Sequence, residues 1–122
     1  MIHTSYFSFV KNISPQLLVA ISGGVPDGFL GSRYPSLAPK YNWWKQWRDN
    51  KLSNEWYADK YYETVLDKLD PVMVAQELDG KILLCWESPD KFCHRQLVAD
   101  WLRPFTEIKE LSTADIQKNI LR

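Results

Sequence analysis

The sequence predicts an α/β domain of three layers, with a mainly parallel central sheet and flanking helices. Three observations predict it. Residues 17–22 (LLVAIS) and 81–86 (KILLCW) are short apolar runs of the kind buried on both faces of a sheet. Helical periodicity follows them at residues 54–69 and again up to residue 103. The stretches between strand candidates are too long for hairpins, which favours crossover connections and parallel pairing. At 122 residues the chain is long enough to bury one core, and the whole of 1–122 reads as a single domain without repeats or linkers.

The elements follow in order. Residues 4–10 alternate in strand fashion, and a turn at 12–15 leads to the apolar strand 17–22. This first pair is open to either parallel or antiparallel arrangement. Gly23, Gly24, Pro26, Gly28, Gly31, Pro35 and Pro39 then punctuate a long loop, whose Phe29, Leu30, Tyr34 and Leu37 argue for ordered packing. Tyr41, Trp43, Trp44, Trp47, Trp56, Tyr57, Tyr61 and Tyr62 crowd the next segment. Residues 54–69 form a helix with Ala58, Tyr61, Tyr62, Val65 and Leu69 on one face. Asp70-Pro71 supplies an N-cap and a first-turn proline for a shorter helix that reaches Leu78, with Gly80 as its stop. After strand 81–86, a helix starting near Pro89 or Phe92 runs to Arg103 and ends at Pro104. Residues 105–111 form a further strand, and Thr113 caps a last helix carrying Ile116, Ile120 and Leu121.

One stretch, LLCWESPDKFCHR at 83–95, concentrates the reactive side chains: Cys85, Glu87, Cys93, His94 and Arg95. It spans the end of a central strand and the start of a helix, where ligands bind in open α/β sheets. Free N–H groups and the positive end of the helix dipole favour anions there. Arg95 adds a bidentate donor fork and His94 a titratable donor. Cys93, beside His94 and Arg95 near a helix N-terminus, has the surroundings that lower a thiol pKa and is the better nucleophile candidate. Glu87, just past a strand end, is the natural general acid/base.

Each residue also has a plain structural reading. Cys85 is a small core residue in that view, Glu87 a surface charge paired with Lys91, and Arg95 and His94 braces for the loop. The aromatic segment is primarily core payload, with a stacking wall for a flat ligand as the sharper alternative. A phosphatase loop is excluded, because Lys91 and not arginine stands six positions after Cys85. The thiol, loop and helix layout is analogous to that of sulfurtransferases by arrangement only. Adjacent Cys93 and His94 diverge on a helix and no C-x-x-C pair occurs, so no metal site is expected. A reducing compartment argues equally against a Cys85–Cys93 disulfide.

The bulk properties narrow the partners. Formal net charge is zero, which gives no electrostatic footprint for duplex nucleic acid. Lys40, Lys45, Arg48 and Lys51 interleave with aromatics, so single-stranded nucleic acid is a minor alternative. No stretch approaches the ~20 apolar residues of a membrane span. The opening MIHTSY lacks the basic and apolar regions of a signal peptide, so a cytoplasmic location is expected. No motif implies a cofactor.

The stretch LLCWESPDKFCHRQLVADWL resembles the DUF488 family, bacterial and phage proteins sharing a domain of unknown function. The shared pattern is an apolar strand, Cys-x-Glu, a short loop, and Cys-His-Arg opening a helix. The segments LVAISGGVPDGFLGSRYPSLAPKY and EWYADKYYETVLDKL are also similar to members of that family. The resemblance implies a compact domain of Rossmann-like layering, with Cys85, Glu87, Cys93, His94 and Arg95 as its signature positions. It implies no specific activity. Many members carry Asp-x-Arg after an early strand, whereas this chain has Ala20-Ile21-Ser22-Gly23-Gly24. Ser22 and Arg33 are the candidates for related groups.

These readings combine into an enzyme, or former enzyme, acting on a nucleotide-like or otherwise phosphorylated small molecule. Arg95, His94 and the helix N-terminus hold the anion, and Glu87 acts as acid/base. The glycine-rich loop from Gly23 to Gly31 closes over the ligand, with Gly23 and Gly24 as binding residues, and Trp43, Trp44 or Trp47 stacks on a base. The competing reading is a binding module that sequesters a nucleotide or engages a protein through Trp43, Trp44, Trp47 and Arg48.

Overall fold

The computed structural model describes residues 1–117. Five strands form one sheet in the order β3-β2-β4-β1-β5: β1 (Ile2–Tyr6), β2 (Leu18–Ala20), β3 (Ser32–Arg33), β4 (Ile82–Cys85) and β5 (Ile108–Glu110). Every pairing is parallel. β1 and β2 are not neighbours, because β4 lies between them with Ser5 and Ala20 both in register with Leu84. The helices are α1 (Tyr41–Asn50), α2 (Asn54–Thr64), α3 (Pro71–Glu77), α4 (His94–Leu102) and α5 (Thr113–Gln117). The fold class is therefore α/β with a parallel sheet and flanking helices, as the apolar runs implied.

Alternation along β4 divides the core. Leu83 faces the side covered by α1 to α4, where Leu37, Trp43, Tyr57, Tyr61, Val98 and Leu102 are buried with it. Ile82 and Leu84 face the other side, covered by Phe7, Val10, Ile13 and Leu111 with Phe29 and Ile116. The two outer layers are thus unequal, helices on one side and mostly connecting chain on the other.

Several boundaries differ from the sequence reading. β1 ends at Tyr6 instead of Val10, because Phe7–Phe9 form a tight turn that buries Phe7 beneath the sheet. The long helix of residues 54–69 stops at Thr64 and continues only as a single turn, Leu66–Lys68. Helix α1 was not anticipated. Its N-cap is Lys40, without a side-chain cap, and Lys51 ends it with a left-handed φ of 50°. The long loop contributes β3, at the sheet edge, and a turn at Pro35–Leu37. Its Leu37 is fully buried, but Leu30 is 79 % exposed and takes no part in the packing. α4 starts at His94, later than Pro89 or Phe92. β5 is shorter than residues 105–111. Ser112, not Thr113, caps α5, its hydroxyl accepting from the Asp115 N–H at 3.2 Å. Ile120 and Leu121 lie outside the described residues. Asp70 caps α3 as expected, accepting from the Val72 N–H at 2.9 Å, and Gly80 takes φ +80° after it. No helix among the described residues is long and apolar enough to cross a membrane.

Candidate functional site

The topology marks one crevice. β2 and β4 are adjacent, but the chain leaving β2 moves outward to β3, while that leaving β4 crosses to β5 on the opposite side of β1. Such a divergence at the carboxyl ends of parallel strands leaves a cleft that ligands use. A cavity of about 480 Å³ opens there. Its floor is Ser22, Gly23 and Gly24 after β2 with Cys85, Trp86 and Glu87 at the end of β4. Cys93 and His94 close one side, and Tyr41, Trp44, Trp47, Tyr57 and Phe92 form an aromatic wall from α1, α2 and the approach to α4. That size suits a drug-sized or nucleoside-sized molecule.

His94 is held from two directions. Its Nε2 lies 2.7 Å from the Ile21 carbonyl oxygen, and the Tyr61 ring meets it edge-on. A carbonyl only accepts, so Nε2 carries the proton and Nδ1 keeps its lone pair. Nδ1 faces Cys93 Sγ at 3.6 Å. Burial pushes the imidazole pKa down to about 4, against the raising effect of the Ile21 carbonyl and with the nearby Arg95 charge adding to the depression. The ring is therefore neutral near pH 7.

Cys93 is the N-cap of α4, with extended backbone at φ −149° and ψ 150°. This overturns the expectation that Cys93 and His94 diverge. Only His94 is helical, and the extended residue before it turns its sulfur back toward the imidazole. Cys85 Sγ comes to the same point, and the two sulfurs are bonded across a Cα–Cα separation of 7.2 Å. The expectation of two unpaired thiols is corrected by that pairing. Topology is the reason, since the end of β4 and the start of α4 face each other across a short loop.

Arg95 does not reach the cavity. It is fully buried, and its Nε and Nη2 donate to Glu110 Oε1 and Oε2, both at 3.0 Å. Its Nη1 donates to the Glu87 carbonyl at 2.6 Å and lies 2.8 Å from Cys85 Sγ. The guanidinium also lies 5.7 Å from the centre of the Tyr6 ring. Arg95 thus fixes the end of β4 against β5, in place of the anion-holding role expected of it. Arg33, also expected near the ligand, is exposed at the sheet edge and donates to the Gly23 carbonyl at 2.9 Å, outside the cavity lining. Among the described residues, no arginine or lysine lines the cavity. Glu87 is exposed, lines the cavity, and has its backbone held by Arg95.

The tryptophans separate into two groups. Trp43 is buried, donating from Nε1 to Thr64 Oγ1 at 2.9 Å, whereas Trp44 and Trp47 line the cavity. Arg48 covers the Trp44 ring at 4.9 Å. Ser22 donates to the Gly24 carbonyl at 2.5 Å, which curls the glycine loop at the cavity floor. Trp86 and Phe92 were missed as lining residues. Trp86 sits between Cys85 and Glu87, donates to the Gly24 carbonyl at 3.2 Å and meets Phe7 edge-on, tying the loop to the strand end. Its place between two singled-out residues was the available signal. Glu110, the partner of Arg95, had no local signal at all.

Residues 19–105 match the family described as the active DUF488-N3 subclade, and the matched span includes all but the first residue of β2, the aromatic wall, β4 and α4. No curated protein and no solved structure matches the chain. The chain belongs to the DUF488 family.

Proposed function

We propose that the protein is an enzyme acting on a nucleotide-like small molecule in the cavity between β2 and β4, with Glu87 as general acid/base. One observation carries this reading: a carboxylate at a strand end shares a single cavity with a wall of aromatic rings. Trp44 and Trp47 offer flat faces for a base, and base–aromatic stacking contributes about 1–3 kcal/mol per base. Glu87 supplies the proton-transfer group, as hydrolytic or glycosyl-transfer chemistry requires. The description of the matched subclade as active supports a working site over a former one.

The cavity favours the base and sugar over the phosphate as the part of the ligand that is gripped. Among the described residues its lining contains no cationic side chain, so a phosphate would rest on backbone N–H groups or extend to solvent. Capture of a protein through the tryptophan surface is less favoured, because Trp43 is buried and Trp44 lies under Arg48.

The experiment is a thermal-shift screen of nucleobases, nucleosides and nucleotides on the reduced protein, followed by product analysis with each stabilising compound. The reading requires that Glu87→Gln keep the stabilisation and lose turnover. Turnover unchanged in Glu87→Gln removes Glu87 from the mechanism. Binding without any product in the wild type makes the protein a sequestering module.

A further inference from the structure

Three potential ligand atoms converge at one end of the cavity. Cys85 Sγ, Cys93 Sγ and His94 Nδ1 lie within 4.8 Å of one another, and all three residues are buried. We propose that, when the cysteines are reduced, these three atoms bind a borderline-soft divalent cation of the zinc class, with its fourth position open to the cavity.

The donor set is suitable. Two thiolates and one imidazole bind zinc, and sites with three protein ligands leave a position for water or substrate. His94 has the supporting contact that such a ligand needs. Its Nε2–H is held on the Ile21 carbonyl at 2.7 Å, which fixes the ring and aims the free Nδ1 pair at the sulfurs. Cys85 has one too, since Arg95 Nη1 lies 2.8 Å from its sulfur and favours the thiolate.

The spacing agrees. Bonds of about 2.3 Å to sulfur and about 2.0 Å to nitrogen, at tetrahedral angles, put a shared sulfur and nitrogen roughly 3.6 Å apart. Cys93 Sγ and His94 Nδ1 stand at 3.6 Å. The Cα atoms of Cys85 and Cys93 are 7.2 Å apart, wider than the roughly 4.4–6.8 Å that disulfides usually span. Two sulfurs on one cation are roughly 3.8 Å apart, a gap that a wide Cα separation accommodates. All three residues line the cavity, so a molecule bound there would meet the cation directly.

The disulfide and the cation exclude each other. A dithiol reductant breaks the Cys85–Cys93 bond, becoming a disulfide itself and leaving two protein thiols. The cation then displaces the two thiol protons to solvent as it binds. Oxidation by a disulfide reverses this and releases the cation. The proposal does not rest on Glu87 acting as acid/base, and it is read without any turnover.

The test is a titration of the full chain, reduced with a phosphine and handled without oxygen, using Co²⁺ as the probe. About one equivalent should bind with a sulfur-to-cobalt charge-transfer band, and Zn²⁺ should displace it. Cys85→Ser and Cys93→Ser, each checked for folding by circular dichroism, should lose that band. Absence of the band in reduced wild type at excess Co²⁺ overturns the proposal, as does its persistence in both variants. A wild-type measurement stands independently of variant folding: Zn²⁺ should suppress alkylation of both thiols, and unchanged alkylation also overturns the site.

Discussion

Arg95 and Glu110 meet as two planar groups, with Nε and Nη2 of the arginine each 3.0 Å from a different oxygen of the carboxylate. The pair joins the start of α4 to the end of β5, and the remaining guanidinium nitrogen reaches the Glu87 carbonyl and the Cys85 sulfur. Thr4 adds a third contact on the carboxylate, its hydroxyl donating to Oε1 at 2.7 Å. One buried cation therefore sets the height of three strand ends and the backbone beneath the cavity.

Arg95→Met is expected to destabilise the protein by about 3 kcal/mol, near the lower end for breaking a buried pair. The lower end applies because Glu110 is 34 % exposed and can regain water. Glu110→Gln keeps an acceptor for Thr4 but leaves the fully buried Arg95 charge without its carboxylate, and should cost about 3–5 kcal/mol. Urea unfolding of both single variants and the double variant gives the coupling. Additive losses would show that Arg95 acts mainly through the Glu87 carbonyl and Cys85.

A second prediction concerns pH. Asp115 is held well below the usual carboxylate range, at about 2, first by the Ser112 backbone N–H at 2.9 Å and then by the Ser112 hydroxyl and Lys109. His3 Nε2 also faces it, at 3.9 Å. A depressed folded-state pKa stabilises above the unfolded value of 3.8, and the effect disappears as pH falls through about 2. Asp115→Asn keeps an acceptor for Ser112 but loses the charge, and should therefore cost about 1 kcal/mol at neutral pH. As pH falls towards 2, the gap in urea midpoint between the variant and wild type should shrink. A gap undiminished at pH 2 would assign the loss to packing and not to charge.

Gly31 offers a steric prediction. A Cβ there would lie 2.7 Å from the Leu18 carbonyl oxygen and 2.5 Å from the Phe29 ring. The carbonyl is part of the chain at β2 and cannot swing away as a side chain can. Gly31→Ala should cost about 1–3 kcal/mol, as overpacking does. Gly23→Ala, with open space around its Cβ position, should be near neutral in stability. Thermal unfolding of the two variants side by side checks the contrast.

These residues also show what a linear reading captures. β4, the Asp70-Pro71 helix start and the strand-to-helix junction at Cys85 to Arg95 were legible because their signals are local: an apolar run, a cap, a turn. Strand order was not, since parallel pairing joins residues as distant as Ser5 and Leu84. Arg95 was read as an anion holder because its true partner lies 15 residues further on, across another connection. Cys93 and His94 were expected to diverge because the helix was started too early; one extended residue at its N-cap reverses that geometry. α1 escaped notice because no capping side chain announces it.

The tryptophans separate fold from function most directly. Trp43 is 5 % exposed, bonded through Nε1 to Thr64 and packed edge-on against Tyr57 at 4.9 Å between ring centres. Trp43→Ala should cost about 3–5 kcal/mol, as loss of a buried aromatic does. Trp44 is only half-buried, lines the cavity and carries Arg48 over its ring at 4.9 Å. Trp44→Ala should lose less stability while weakening a stacked nucleoside by about 1–3 kcal/mol. The check is to measure unfolding by urea and ligand affinity by calorimetry on the same preparations, using the compound that stabilises wild type most. Trp43→Phe, which keeps one aromatic ring but removes the Nε1 donor and part of the packing, should retain that affinity with a loss of about 1–3 kcal/mol in stability. Equal affinity in wild type and Trp44→Ala would take the ligand off Trp44 and leave Trp47, Tyr57 and Phe92 among its aromatic contacts.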